Sequence, residues 1–230
     1  MALFAIGDPH LSFQTNKPMS IFGSVWENHS EKLKEGFLRE VGLEDTVVIC
    51  GDLSWGMKLG ECEQDFKFLN DLPGKTKLLV KGNHDYWWNS LSKMETFFRE
   101  HECDTFRILQ NNCWLYGDTA LCATRGWFFE LDQQERSEKM FHRECERLEM
   151  SLKAAGEREK IVFLHYPPVY QGYRCKPILD VLHRYGVRRC CYAHLHGKMR
   201  RHAIEGVYDG IDFSLVSADH LGFVPKRILD

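Results

Sequence analysis

Apolar and polar positions alternate along this 230-residue chain in two distinct rhythms. "ALFAIG" near the start is a short continuous apolar run, which predicts a first strand buried on both faces. From Val25 to Val41 the rhythm lengthens: Trp26, Leu33, Phe37 and Val41 fall at helix-compatible intervals before Gly42. "TVVICG" predicts a second buried strand, and Cys62, Phe66 and Leu69 predict a helix stopped by Pro73 and Gly74. "KLLVKG" is the next strand, followed by a helix with Leu91, Met94 and Phe98 on one face.

The middle of the chain differs. "NCWLYG" and "TALCATRG" are short β-type runs bounded by Asn, Gly and Asp, which predicts antiparallel strands. From Gln133 to Ala155 the chain is highly charged, yet Phe141, Cys145, Leu148 and Leu152 keep a helical spacing, so one long amphipathic helix is expected, stopped at Gly156. "KIVFLH", "PILDVLHRYG" and "RRCCYAH" then read as strand, helix and strand, and "AIEGVYDGIDFSLVSA" as strands with a turn at Asp209 and Gly210. Alternating strands and helices with extra strands between and after them imply an α/β fold of two mixed β-sheets packed as a sandwich and flanked by helices. No repeat, low-complexity block or Pro/Gly/Ser linker interrupts it, which makes residues 1–230 a single domain.

Composition narrows the function classes. Hydrophobic residues make up 43% and charged residues 27%, ordinary for a folded chain, so no long segment is expected to be disordered. The formal net charge of -3 argues against a protein whose affinity comes from neutralising a polyanion, so no strong nucleic-acid signal is present. The nine cysteines form no C-x-x-C pair, and Cys50, Cys122, Cys190 and Cys191 lie in apolar runs as small buried hydrophobes, which suits a reducing, cytoplasmic setting. No stretch approaches the roughly 20 apolar residues of a membrane span, and "MALFAIGD" lacks the basic flank of a signal peptide. Nothing in the sequence fixes an oligomeric state.

Five apolar runs end alike. They deliver Asp8 and His10, then Asp52, then Asn83, His84 and Asp85, then His165, and finally His194 and His196. Carboxyl ends of strands in α/β sheets are where ligand-binding groups gather, because the loops there carry no core duty. Asp, His and Asn offer oxygen and nitrogen donors to first-row divalent cations, and the absence of cysteine at these ends steers away from a sulfur-rich structural zinc. Asp8, His10, Asp52, Asn83, His165, His194 and His196 are more ligands than one ion with open positions needs. Two ions about 3.5–4 Å apart would use them and would suit hydrolysis of a phosphate ester.

"DPH", "GDLSW", "GNHD", "LHYPP" and "AHLHG", in this order, resemble the calcineurin-like metallophosphoesterases. The resemblance runs from Asp8 to Gly197 and implies a metallo-dependent phosphatase-like fold. It also implies roles: one metal held by Asp8, His10 and His196, the other by Asn83, His165 and His194, and Asp52 bridging them. His84 would be the acid that meets the leaving oxygen, with Asp85 orienting its ring or supporting the ligand shell, and Gly82 would permit the turn. A small phosphorylated substrate, a phosphate mono- or diester, would be opened by a metal-bridging hydroxide. Manganese is the first expectation for the metal, with iron, zinc or nickel as alternatives. Two departures stand out: Ala193 occupies the place of the family glycine, and "LSWG" lacks the Asp-Arg pair of the Ser/Thr protein phosphatases, which argues against a phosphoprotein substrate.

Other readings compete. The same fold without useful catalysis would be a metal-binding scaffold, against which the presence of His84 weighs; a nuclease would call for a groove lined with Lys and Arg. Trp87, Trp88, Trp127, Phe128, Phe129, Tyr170 and Tyr173 are candidates for a stacking rim, with core packing as the plainer account. "KMRRH", Lys198 to His202, offers phosphate steering or simply a solvated face. His29, His101, His142 and His183 fall on predicted helices in solvated or capping roles; His202 is ambiguous, and His220, in "SADHLGF" after a strand, is a candidate either for the site or for a turn.

Overall fold

A computed structural model describes residues 1–127 and 134–230. In chain order its elements are β1 (Leu3–Ile6), α1 (His29–Glu40), β2 (Thr46–Cys50), α2 (Glu63–Asp71), β3 (Thr76–Val80), α3 (Leu91–Glu100), β4 (Phe106–Ile108), β5 (Cys113–Tyr116) and β6 (Thr119–Thr124). They continue with α4 (Gln134–Ala154), β7 (Glu159–Leu164), β8 (Val169–Tyr170), β9 (Tyr173–Arg174), α5 (Lys176–Arg184), β10 (Arg189–Tyr192), β11 (Gly206–Tyr208), β12 (Ile211–Leu215) and β13 (Lys226–Leu229). The chain is mixed α/β with two large mixed sheets and flanking helices. It divides into two compact units, residues 1–108 with 216–230, and residues 109–215. Among the described residues no helix is long and apolar enough to cross a membrane.

The first unit holds a five-stranded sheet in the order β13-β1-β2-β3-β4. β1 to β4 run parallel, and β13 closes the β1 edge antiparallel. All five residues of β2 and all four of β1 are buried, as a parallel strand covered on both faces requires. Leu33 and Phe37 from α1, Phe66 and Leu69 from α2, and Met94 and Phe98 from α3 join one core with Phe4, Ile6 and Ile49. The helical stripe expected from Val25 is shorter in the structure. Trp26 is buried but belongs to a 3-10 turn, Ser24–Trp26, because Asn28 adopts a left-handed conformation (φ 51°) and resets the chain before α1. Leu91, placed by its spacing on the apolar face of α3, is exposed at the helix start.

The second unit holds a six-stranded sheet in the order β11-β12-β10-β7-β6-β5. β12, β10, β7 and β6 are parallel, and the hairpins β5-β6 and β11-β12 supply antiparallel edges. The second hairpin turns through Asp209 and Gly210, both at positive φ (52° and 77°), the combination that a tight turn matching strand twist demands. α4 and α5 pack Leu148, Leu152, Ile178, Leu179 and Leu182 against Val162, Leu164, Cys190 and Phe213. Gly156, at φ 60°, ends the helical stripe as its position predicts. Cys50, Cys122, Cys190 and Cys191 are all buried. β4, β13 and the β8-β9 hairpin were not expected from the pattern; each is short, with two to four residues.

Candidate functional site

In the first unit the parallel pairing of β1 with β2 continues past the strand ends. Asp8 N–H donates to the Gly51 carbonyl, His10 N–H to that of Asp52, Leu11 N–H to that of Leu53, and Trp55 N–H to that of Leu11, all at 2.9 Å. Three residues on this extension, Asp8, His10 and Asp52, carry φ of 57°, 47° and 52°. A non-glycine side chain in that region is strained and persists only where its surroundings hold it. The kinks place donors beside one another: Asp8 and His10 each offer a ligand atom within 4.8 Å of the other. His10 Nε2 is also 3.8 Å from Asp52 Oδ2. Asp8, His10 and Asp52 are all buried.

The end of β3 is fastened to the end of β2. Asp85, 1% exposed, accepts N–H bonds from Gly82 (2.7 Å) and Asp52 (2.9 Å) on Oδ2, and from Leu53 (2.9 Å) and the Trp87 indole (3.0 Å) on Oδ1. Asp52 answers by accepting the His84 N–H on Oδ1 at 2.7 Å. Asn83 is thereby held between two anchored neighbours. The bonds of Asp85 are those of a support for the loop. Gly82 serves by clearance: its φ is not positive, but a Cβ there would lie 2.2 Å from Asp52 N and 2.1 Å from Asp52 Oδ1. The turn itself does not need glycine; the approach of the two loops does.

Side chains not expected at the site from the sequence surround this cluster. Trp55 stacks on the His10 ring (centroids 5.0 Å, 18°) and lies 4.5 Å from the His84 ring. Trp26 meets His10 edge-on at 5.8 Å. His29, expected in a solvated or capping role, starts α1 and places its Nε2 3.3 Å from the His10 carbonyl oxygen; burial holds its pKa below the usual imidazole value. Ser54 donates to the buried Asp65, whose other oxygen accepts the Phe13 N–H at 2.8 Å. Burial raises the Asp65 pKa. Asp219, 2% exposed, follows a Ser217 that pairs with Gly7, one residue before Asp8. Trp26 was legible as core only; the other contacts join segments with no shared motif.

In the second unit the ends of β6, β7 and β10 lie side by side. Tyr166 N–H bonds to the Arg125 carbonyl (2.9 Å) and Ala193 N–H to the His165 carbonyl (3.1 Å). His165 and His194 offer ligand atoms within 4.8 Å of each other, their rings 5.1 Å apart, and Tyr166 packs on His194 at 4.6 Å. His165 is fully buried, while His194 and His196 are half-buried. The left-handed residue here is His194 (φ 73°), and Ala193 is not among the residues at positive φ. Alanine at 193 carries no strained angle of its own, because the left-handed conformation falls one residue later. Lys198, Met199 and Arg201 in "KMRRH" are exposed on a 3-10 turn, Gly197–His202, and Arg200 Nε bonds to the Gly197 carbonyl.

Of the aromatic residues considered for a rim, Trp87 is in the core, packed edge-on against Phe66. Tyr170 and Tyr173 stack on each other at 4.9 Å across the β8-β9 hairpin. Trp127 is half-buried beneath the Arg125 guanidinium. Phe128 and Phe129 lie outside the described residues.

The donor sets of both units, nitrogen and oxygen without sulfur, fit hard to borderline divalent ions with open coordination positions. The chain superposes on two solved structures over nearly its whole length. One is the protein of unknown function AQ665 from Aquifex aeolicus (TM-score 0.55, 11% identity, 98% of this chain and 95% of that one). The other is TT1561 of Thermus thermophilus (TM-score 0.51, 11% identity, 99% and 97%). At that identity they speak for the fold alone. No curated protein matches the sequence. The family model described as calcineurin-like phosphoesterase matches residues 1–198, a span containing every candidate ligand, and on that match the chain belongs to the calcineurin-like phosphoesterase family.

Proposed function

We propose that the chain is a dimetal-dependent phosphohydrolase acting on small phosphate mono- or diesters. Asp8, His10 and His196 would hold one ion, Asn83, His165 and His194 the other, with Asp52 shared; manganese is the first candidate. The observation that carries this reading is where the backbone is strained. Of nine non-glycine residues at positive φ among the described residues, four are candidate ligands: Asp8, His10, Asp52 and His194. Strain of about 1–3 kcal/mol per residue collects at sites where side-chain direction matters more than stability.

Bound metal supplies Lewis acidity toward phosphoryl oxygens and activates water. The protein's own groups do the rest. Asp85 and Gly82 fix the β2 and β3 loops against each other, Asp52 holds the His84 backbone, and His84 donates a proton to the departing oxygen. The test is a screen of phosphomonoesters and phosphodiesters with manganese, zinc, iron and nickel, alongside metal content by mass spectrometry. Metal-dependent turnover that falls by about 100-fold or more in His84→Ala, with metal retained, is expected. Two ions bound with no turnover on any ester would favour the scaffold reading, and failure to bind metal would end both.

A further inference from the structure

The indole of Trp55 touches two rings that the proposed function employs for different purposes, His10 as a ligand and His84 as the acid. It lies parallel to the first (5.0 Å, 18°) and tilted to the second (4.5 Å, 46°), while the two imidazoles are themselves 5.7 Å apart. An imidazole on a loop keeps rotamer freedom unless something planar and rigid fills the space beside it. Trp55 is itself anchored at several points. Its indole N–H points at the Met19 sulfur (3.2 Å), and its backbone N–H bonds to the Leu11 carbonyl. The preceding Ser54 is tied to buried Asp65. The following Gly56 packs so closely on Cys62 that a Cβ would come within 2.3 Å of its sulfur. Trp55 is only half-buried, and Met19 extends its support to the segment between β1 and α1.

We propose that Trp55 is a positioning residue: its indole, tethered by Met19, fixes the ring of His84, and with it the line along which a leaving oxygen meets the acid. This rests on the role given to His84 above. Trp55→Leu removes the plane, and Trp55→Phe retains most of it. Two readouts separate positioning from general damage. In metal-free protein, long-range proton–nitrogen NMR of the His84 imidazole, identified by its loss in His84→Ala, shows one sharp set of signals in the native chain and in Trp55→Phe. Trp55→Leu gives broadened or doubled signals. With metal, a series of aryl phosphates of rising leaving-group pKa shows a kcat loss in Trp55→Leu of about tenfold or more for poor leaving groups and near none for good ones, because only the former need the acid. KM stays within about twofold, and Trp55→Phe restores the rate.

A single sharp His84 signal set in Trp55→Leu, or a rate loss independent of the leaving group, overturns the proposal. Should leucine at 55 fail to fold, Met19→Leu, which keeps the bulk and releases the indole, carries the same two readouts. If the native protein hydrolyses no ester, the phosphohydrolase reading falls while the NMR measurement still decides whether Trp55 sets the ring.

Discussion

Asp85→Asn isolates the fastening between the β2 and β3 loops with a change of one atom. Each carboxylate oxygen accepts two N–H groups: Oδ2 those of Asp52 and Gly82, Oδ1 those of Leu53 and the Trp87 indole. Asparagine has one oxygen and one NH2, so whichever way its amide turns, two N–H donors face a donor. Hydrogen bonds to a charged acceptor contribute about 1.5–3 kcal/mol each, and the site is 1% exposed, so water does not replace them. Two lost bonds come to about 3 kcal/mol at the low end, which for a chain of this size lowers Tm by about 6–12 °C. The assay is urea and thermal unfolding of metal-free protein, with Asp118→Asn, on the exposed β5-β6 turn, as the control. Turnover should fall as well, since Asp52 and Gly82 lose their common anchor. An Asp85→Asn protein that unfolds within about 0.5 kcal/mol of the native chain would refute the claim that this carboxylate ties the loops together.

Gly82→Ala is expected to lower stability by about 1–3 kcal/mol and to reduce metal affinity, since the added methyl meets both the Asp52 backbone nitrogen and the Asp52 carboxylate, which is itself a candidate ligand; unfolding and metal titration check both. Lys77 is fully buried in β3 with its ammonium donating to the Leu72 and Gly74 carbonyls (2.8 and 3.0 Å), and burial lowers its pKa from 10.5 to about 8. Between those values the unfolded chain binds the extra proton, so stability rises with pH from about 8 toward 10.5, by about 3 kcal/mol at full extent. Lys77→Met should lose that rise in a pH series of urea unfolding curves, and an unchanged slope between pH 8 and 10 would contradict it.

The apolar rhythm determined much of this protein by itself. A continuous run such as "TVVIC" can satisfy itself only as a strand covered on both faces, and the spacing of Leu148 and Leu152 only as one face of a helix, so β2 and α4 were legible from local pattern. The polar residues at strand ends were legible for the same reason: nothing in a core explains them. Short edge elements such as β4 and β13 were not, because a strand of three or four residues is defined by the neighbour it pairs with.

What only the tertiary structure decided are effects of approach between segments distant along the chain. Gly82 reads as a turn residue and proves to be clearance for Asp52, thirty residues earlier; Asp85 reaches outside its own motif to the backbone of Asp52 and Leu53. Trp55 reads as one more apolar residue after "GDLS", and its contacts with Met19, His10 and His84 exist only once β1, β2 and β3 lie in parallel register. Periodicity encodes which face of an element is buried, but the identity of what lies against that face is fixed by long-range packing, and a single sequence carries no local trace of it.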